Sequence, residues 1–295
     1  MTSPLSSPPS PSQPPLPVVE TEEKAITIQK NSLFSPHLLS RVERWGIQTM
    51  HTMVASPWGV RMGMGWTRIF GKPIVSLLSK PRWRVHGIEH LDHLSKTDPV
   101  LLIANHRTFF DLFVIMTALR THTSQRVGMR CVFPVRAPFF YDHPLGLLLN
   151  LVASGGSMYP PVFRDDRKRE LNPQGLQVME WLIKQPGLLF GLHPEGRRTQ
   201  SDDPFVLSPF RKGVGTLLQN PHPRLHIVPV FAYGLTNDLV DEVKQRFKGE
   251  RARPIHLFFG KPILGVDCQG SPEEIAQFLH HQLSSVMDQA RLSSL

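Results

Sequence analysis

The sequence predicts an α/β fold, in which a mostly parallel central sheet is flanked by helices and preceded by an N-terminal helical pair. From Trp83 onward, short apolar runs typical of buried strands alternate with segments of helical periodicity. Ahead of Trp83, apolar residues recur near helical spacing through two successive segments. The last helix is the clearest element, because a capping box from Ser271 to Glu274 precedes its apolar stripe.

Six apolar runs are predicted strands, and helical patterns lie between them. The strands cover residues 84–86, 100–104, 127–135, 188–192, 227–231 and 255–259. One helix begins near Phe109. A second starts at Asn172, with Pro173 at the first helical position, and ends before Pro186 and Gly187. Because strands and helices alternate, we expect helices on both faces of the sheet.

Three regions are predicted along the chain. Residues 1–35 form a Pro- and Ser-rich disordered tail and linker, because they hold little to bury. Residues 36–80 form the helical pair, and residues 81–295 form the α/β domain. The helical pair carries Met, Trp and several cations with few acids. This pattern fits either a membrane-interface element or an ordinary hairpin packed on the domain, and does not separate the two.

The composition indicates a basic globular protein. Its formal net charge is +9 and its pI about 9.9, which suits nucleic acid, acidic lipid headgroups or phosphorylated substrates. Cys131 and Cys268 belong to no CxxC pair, which argues against a disulfide scaffold and for a reducing compartment. Neither a secretory signal nor an apolar run of about 20 residues is recognisable. We therefore expect a cytoplasmic chain that associates with the membrane peripherally or monotopically.

The strongest chemical signal follows the second predicted strand. Asn105 and His106 come at its carboxyl end, where open α/β sheets bind ligands, and Asp111 lies in the first turn of the next helix. An aspartate that accepts from one imidazole nitrogen leaves the other nitrogen free as a base. Taken alone, a histidine and an aspartate at this spacing more often form an ordinary surface pair.

A second polar cluster follows the strand at 188–192, where residues 194–199 read Pro-Glu-Gly-Arg-Arg-Thr. Guanidiniums bind phosphate in a bidentate manner, and a glycine lets backbone approach an oxyanion. Two weaker signals accompany this cluster. A Gly-rich stretch from Gly155 leads to Arg164 and to a basic run containing Arg167, and Pro229 interrupts a predicted strand.

Together, these four blocks resemble the glycerophosphate and lysophosphatidate acyltransferase family over residues 84–260. The first block of that family is Asn-His, four residues and Asp, and the second is Gly-rich and ends in Arg. The third is Pro-Glu-Gly-x-Arg-Ser, and the fourth is an apolar strand with Val-Pro. The first and third blocks are the specific ones.

The resemblance implies a role for each matching residue. His106 would be the general base and Asp111 its orienting partner. Five residues would position the acceptor or bind its phosphate: Glu195, Gly196, Arg198, Arg164 and Arg167. Five others would support them: Asn105, Thr108, Arg197, Thr199 and Pro229. The resemblance also favours the membrane-interface interpretation of the helical pair.

The sequence departs from the family pattern at a few positions. Thr108 and Thr199 stand where the family often has Ser, which preserves a hydroxyl. His193 replaces the usual aromatic residue before Pro-Glu-Gly, and it fits better as a ring filling an aromatic slot than as a second titrating group. The second block aligns poorly, so Arg167 competes with Arg164 for the phosphate role.

The expected function is acyl transfer from a thioester of CoA or acyl carrier protein to a lysophospholipid hydroxyl, with 1-acyl-glycerol 3-phosphate as the expected acceptor. Glycerol 3-phosphate or another lysolipid is an alternative acceptor, and an inactive lipid-binding protein of the same fold is an alternative function. We expect an anionic membrane surface as a partner, but no nucleic acid, no metal and no cofactor beyond the acyl thioester. A metallohydrolase using His106, Asp111, His193 and Glu195 would have usable ligands without a recognised spacing.

Overall fold

The computed structural model describes residues 34–123 and 130–293. The predicted tail therefore lies outside the described residues, apart from its last two. Phe34 is buried and packs edge-on against Phe163, and the backbone N–H of Ser35 donates to Gln174. These two residues belong to the packed part of the chain.

The described residues form one eight-stranded sheet. Its strands are β1 Trp83–His86, β2 Val100–Ala104, β3 Arg130–Arg136, β4 Met158–Val162, β5 Leu188–Leu192, β6 His226–Tyr233, β7 Ile255–Phe259 and β8 Ile263–Leu264. Their order is β1-β7-β6-β2-β5-β3-β4, with β8 beside β6. Within this sheet, only the β6–β7 and β6–β8 pairs are antiparallel. The predicted α/β class with a mostly parallel sheet is confirmed.

Helices cover both faces of the sheet. They are α1 Arg41–Ala55, α2 Pro57–Trp66, α3 Lys72–Ser79, α4 Asp111–His122, α5 Pro144–Ser154, α6 Asn172–Ile183, α7 Gly213–Leu217, α8 Leu239–Arg246 and α9 Pro272–Leu292. Alternate residues of a strand point to opposite faces, so β6 supplies Val230 to the core beneath α4 and Phe231 to the core beneath α9. The capping box predicted for the last helix is present at Ser271 and Glu274.

The N-terminal helical region contains more than the predicted pair. A π-helical turn, Thr67–Gly71, follows α2 and leads into α3, so three α-helices precede β1 within the described residues. The backbone stays helical through Gly71 and Lys72, and Pro73 is tolerated because it lies in the first turn of α3. Across the described residues, no helix combines the length and apolarity needed to cross a membrane.

Two strands were missed by the sequence analysis. β4 contains Pro160 and Pro161, which are more typical of turns, but it is an edge strand and pairs with β3 alone. Proline is tolerated at a sheet edge because its missing N–H faces away from the ladder. β8 has two residues, too few for an apolar pattern. The strand predicted at 127–135 is described from Arg130 onward.

The strand register places the two specific blocks side by side. β2 pairs in parallel with β5, and Ile103 lies opposite Leu192. The residues that follow each strand, Asn105 and His106 on one and His193 on the other, therefore emerge at the same edge. This carboxyl edge is where ligands bind in open α/β sheets.

Candidate active site

His106 and Asp111 face each other at the carboxyl end of β2. His106 Nδ1 lies 3.4 Å from Asp111 Oδ2. The Asp111 carboxylate also accepts from the backbone N–H groups of Arg107 and Thr108, each at 2.8 Å, and from Thr108 Oγ1 at 2.6 Å. One buried carboxylate thus folds the loop ahead of α4 and holds the imidazole. With Nδ1 directed at Asp111, Nε2 is the nitrogen left for chemistry.

The environment of Asp111 keeps its carboxylate charged. Burial opposes ionisation, but the hydrogen bond with His106, the charge that His193 acquires only at acid pH and the bonds from Thr108 outweigh it and hold the pKa of Asp111 below its ordinary value. A charged carboxylate selects the His106 tautomer with the proton on Nδ1, and stabilises the imidazolium that forms when Nε2 takes a proton.

His193 stacks on the ring of His106. The ring centroids are 3.9 Å apart and the planes differ by 9°. His193 Nδ1 lies 3.0 Å from the Ala104 carbonyl oxygen, which can only accept, so Nδ1 carries the proton. Burial, with a smaller contribution from His106, lowers the pKa of His193 to about 4. His193 is therefore a neutral ring in van der Waals contact with His106, as expected of a residue in an aromatic slot.

These side chains do not fit a shared metal ion. Ligand atoms of His106, Asp111 and His193 lie within 4.8 Å of one another. The nitrogen lone pairs of the two stacked rings lie in nearly parallel planes, whereas a metal ion needs lone pairs that converge on one point. Asp111 also already accepts from four protein donors. The geometry thus disfavours the metallohydrolase alternative.

Glu195 joins the two specific blocks. Its side chain is buried, and Oε1 accepts from the backbone N–H of His106 at 2.7 Å. Oε2 accepts from Thr199 Oγ1 at 2.7 Å and from the N–H of Ser208 at 3.0 Å. Because these contacts are with protein donors, the carboxylate fixes the loops after β2 and β5 relative to each other.

Four arginines gather beside the Glu195 loop. Arg164 donates to the Gly196 carbonyl at 2.6 Å. Its pKa is lowered by partial burial and by the charges of Arg136, Arg198 and Arg211. The Arg211 side chain also lies against Gly196, and Arg198 is two residues further along the same loop, so we call these four residues the arginine cluster. Such a cluster favours a bound anion, because an anion relieves the repulsion.

Two of these arginines were not predicted as site residues. Arg136 ends β3, at the same sheet edge as His106, so a search of every strand end would have found it. Arg211 comes from a loop, where its N–H donates to the Pro194 carbonyl. Arg197 is exposed on the loop between the cluster and the cleft. Arg167 lies exposed in the turn Asp166–Leu171 and is not among the charges that act on Arg164.

A cleft of about 500 Å³ opens beside His106 and Asp111, the His–Asp dyad. Arg107, Thr108 and the segments 198–201 and 235–237 line it, whereas His106 does not. Arg198 donates to Asn237 Oδ1 at 2.8 Å, and the Arg107 guanidinium is held by the carbonyls of Ser201 and Asp203. Asn237, a few residues past β6, was missed by the sequence analysis. The cleft therefore lies on the Arg198 side of the site.

The remaining predicted positions support the sheet edge. Asn105 exchanges two hydrogen bonds with the backbone of Ala232, at 2.9 and 2.8 Å, which ties the end of β2 to β6. Pro229 lies where β6 changes partner, between the residues paired with β8 and those paired with β7. It lacks an N–H, and its carbonyl accepts from Gly260 at 2.9 Å.

Comparisons with known proteins were made for the whole chain. The model of the acyltransferase family matches residues 82–233, just over half of the 295 residues. The solved structure of a 1-acyl-sn-glycerophosphate acyltransferase from Thermotoga maritima is similar at 16% sequence identity and a TM-score of 0.49, covering 92% of this chain and 97% of that one. No curated protein sequence matches. The family match includes the dyad, the Glu195 loop and β6, and it confirms the enzyme class predicted from the sequence. The chain belongs to the acyltransferase family.

Proposed function

We propose that this chain transfers an acyl group from an acyl thioester to the hydroxyl of a lysophospholipid, with 1-acyl-glycerol 3-phosphate as the favoured acceptor. One observation carries the proposal: the His106–Asp111 pair and the arginine cluster lie at the same sheet edge, joined through Glu195 and Gly196. A base beside an anion site suits an acceptor that has both a hydroxyl and a phosphate.

The proposed step needs no acyl-enzyme. His106 Nε2 takes the proton of the acceptor hydroxyl while the oxygen attacks the thioester carbonyl carbon. The carbon–sulfur bond breaks when the tetrahedral intermediate collapses, and the imidazolium returns the proton to the departing thiolate. The products are an ester and a free thiol. Asp111 holds the ring and stabilises its charge between the two proton transfers.

The arginine cluster supports a phosphorylated acceptor. Arg164 and Arg198 come from the second and third blocks, and each keeps donors free besides those bonded to Gly196 and Asn237, because a guanidinium has five N–H groups. Glycerol 3-phosphate and other phosphate-bearing lysolipids would satisfy the same groups. The acyl donor is a thioester of CoA or of acyl carrier protein, and no further cofactor is required.

We further propose that the enzyme works at an anionic membrane surface. α1 packs on the domain, with Ile47, Met50 and Val54 buried. The segment from α2 to α3 instead exposes large apolar side chains: Trp58, Met62, Ile69, Phe70, Ile74 and Leu77. Cations and interfacial aromatics on one surface suit contact with acidic lipid. The hairpin interpretation thus fits α1, and the membrane-interface interpretation fits the segment after it.

Replacing the base tests the proposed chemistry. We expect His106→Ala to lower kcat by about 10²–10⁴-fold, the usual contribution of a general base, while thermal unfolding stays close to that of the parent. The matched control is His281→Ala on the exposed side of α9, which should retain full activity. Near-normal turnover by His106→Ala would defeat the assignment.

The acceptor is tested with one labelled acyl thioester and a panel of hydroxyl acceptors with and without phosphate. Preferred acylation of 1-acyl-glycerol 3-phosphate supports the proposal, and preference for glycerol 3-phosphate selects that alternative. If the purified chain binds lysolipid but consumes no thioester with any acceptor, the proposed acyl transfer is wrong and the chain is an inactive lipid-binding protein.

A further inference from the structure

Helix α5, Pro144–Ser154, has its polarity reversed. Four large apolar side chains point outward: Leu145 is 59% exposed, Leu148 56%, Leu149 41% and Val152 50%. Its polar residues point inward, since Asn150 is 0% exposed and Ser154 is 2% exposed. A helix that packs on a domain in water normally has the opposite arrangement. The reversed polarity of α5 is expected if its outer side contacts an apolar medium in place of water.

The buried polar residues of α5 are fully used by the protein. Asn150 Nδ2 donates to the Met158 carbonyl at 3.1 Å, and Ser154 Oγ donates to the Asn150 backbone carbonyl at 2.7 Å. Tyr141 Oη donates to the same Met158 carbonyl. These bonds fix α5 against the start of β4. Rotation that would bury the leucines is therefore prevented, because it would break a buried polar network.

The apolar side of α5 continues into that of the helices after α1. Trp66 Nε1 donates to the Val152 carbonyl at 2.7 Å. A Cβ built on Gly63 would lie 2.8 Å from the Gly155 carbonyl oxygen, so α2 and the end of α5 are in close backbone contact. Trp66 also lies against Phe70, with ring centroids 4.4 Å apart. The exposed side chains of α5 and of the segment from α2 to α3 therefore form one surface, which we name the apolar rim.

The charges around the apolar rim indicate its occupant. The segment 57–88 contains no acidic residue, whereas Arg61, Arg68, Lys72 and Lys80 all lie within it. α5 carries no charge. Contiguous exposed apolar surface of this kind marks an interaction site, and the cations around it attract anionic headgroups. A second copy of the chain would place like charges against each other.

The apolar rim also extends toward the dyad. Phe139, just ahead of α5, is 46% exposed and has φ 74°, an uncommon conformation for a residue with a Cβ. Its ring lies edge-on to Phe140, and Phe140 stacks on Phe109 at 5.7 Å and 5°. Phe109 is three residues past His106 in the loop that Asp111 folds. This series of ring contacts connects the start of α5 to the loop that follows His106.

We infer that α5 is a second membrane-contacting element, which enters the headgroup region of an anionic bilayer alongside the segment from α2 to α3. The inference rests on the proposed membrane acyltransferase function and extends it, because it assigns a lipid contact to the α/β domain itself. Through Phe139 and Phe140, α5 sets the distance between the bilayer and the loop that carries the base.

The test measures vesicle binding separately from turnover. Leu145→Ser/Leu148→Ser removes exposed apolar area, so partitioning onto phosphatidylcholine vesicles containing phosphatidylglycerol should fall at least about tenfold in flotation. The matched control is Leu264→Ser/Val266→Ser, which alters two exposed aliphatic residues near the opposite sheet edge and should bind as the parent does. If the double variant does not fold, Val152→Ser takes its place, with a smaller expected loss of partitioning onto vesicles.

Turnover with a monodisperse short-chain acceptor separates this inference from the proposed function. The α5 variant should retain parental turnover with that acceptor and lose turnover with acceptor embedded in vesicles. Parental partitioning of the α5 variant overturns the inference and leaves the proposed function standing. A parental dimer that the substitutions convert to monomer also overturns it, because a second copy would then cover α5. If the parent binds vesicles but acylates no acceptor, the proposed function fails and the α5 contact stands.

Discussion

At the residue scale, Asp111 is the side chain on which the site geometry most depends. The same carboxylate begins α4, accepts two backbone N–H groups of the preceding loop and holds His106. These N–H groups belong to the loop that precedes α4, so the carboxylate closes that loop and does not cap the helix. The His106–Asp111 pair therefore arises from a turn that Asp111 closes, with one additional acceptor direction used for the imidazole.

We expect Asp111→Asn to lower kcat by at least about 10²-fold with little change in acceptor KM. The amide oxygen would take the Oδ2 position, where it accepts from the N–H groups of Arg107 and Thr108 and from His106 Nδ1. The NH₂ would then face Thr108 Oγ1. Because the neutral amide lacks the charge that stabilises the imidazolium, His106 Nε2 becomes a weaker base. Steady-state kinetics measure this fall in kcat, and the control is Asp288→Asn at an exposed residue of α9. Equal kcat values for the two variants would contradict it.

His193 has a different role, because its neutral ring stacks on His106 and restricts the motion of that imidazole. We expect His193→Phe to keep kcat within a few fold, whereas His193→Ala opens space beside His106 and lowers kcat at least about tenfold. Acceptor KM should change little in both. A parental kcat for His193→Ala would show that the stack does not position the base.

The partly buried His193 also makes stability depend on pH. Its pKa falls from 6.5 in the unfolded chain to about 4 in the folded protein, so between these values the unfolded chain binds the proton more readily. The free energy of unfolding is lost as pH falls through that window. Because Phe does not titrate, His193→Phe should gain stability relative to the parent as pH falls, measured by urea unfolding. If the free energies of unfolding of the parent and of His193→Phe change in parallel with pH, partial burial does not keep His193 neutral.

At the element scale, the strand ends could be predicted from the sequence, but their arrangement could not. Polar residues directly after apolar runs marked the ends of β2 and β5, and the parallel class predicted a common edge. That β2 lies beside β5 depends on a pairing between residues almost 90 positions apart, such as Ile103 and Leu192. No local pattern specifies such a partner. The stack of His193 on His106 follows from that pairing and was therefore not predicted.

Some elements were missed because their local sequence pattern is typical of a structure other than the one that they form in the folded chain. β4 was missed because two prolines are compatible with an edge strand but are more typical of a turn. No helix was predicted at α5, and the outward direction of its apolar side chains depends on Asn150 and Ser154 bonding inside the domain. Arg136 and Arg211 join Arg164 from separate elements, so the arginine cluster exists only in the folded chain.

The loop after β5 depends on Glu195 for its position, and Glu195→Gln tests this. In either orientation the Gln amide would direct its NH₂ at a backbone N–H, that of His106 or that of Ser208. An unsatisfied buried donor costs about 1–3 kcal/mol, so we expect that loss in the free energy of unfolding and a lowered kcat. The control is Glu180→Gln, at a partly exposed residue of α6 paired with Lys184, which should cost under about 0.5 kcal/mol. Equal stability of the two variants would show that Glu195 does not hold the loops together.

At the scale of the whole molecule, positive charge is distributed over two functional surfaces. The net charge of +9 includes the arginine cluster beside the dyad and the cations of the apolar rim. One surface would hold a phosphate and the other would hold a sheet of anionic headgroups, so the molecule would orient its catalytic loop toward the lipid layer that contains its acceptor. Nucleic acid is not needed to explain the charge.

The arginine cluster makes acceptor use sensitive to salt. Mobile ions screen exposed charges beyond about 8 Å at physiological ionic strength, so added salt should raise the KM for a phosphate-bearing acceptor. The KM for an acceptor without phosphate, such as a monoacylglycerol, should change little. Measurements should use monodisperse acceptors, because salt also weakens binding to anionic vesicles.

Arg164→Ala should raise the KM of the phosphate-bearing acceptor at low salt about tenfold or more and reduce its salt dependence, because a charge-assisted hydrogen bond is worth about 1.5–3 kcal/mol. The control is Arg224→Ala, near the amino end of β6, which should leave both values unchanged. If both acceptors respond equally to salt, or if Arg164→Ala matches the control, the phosphate is bound elsewhere on the molecule.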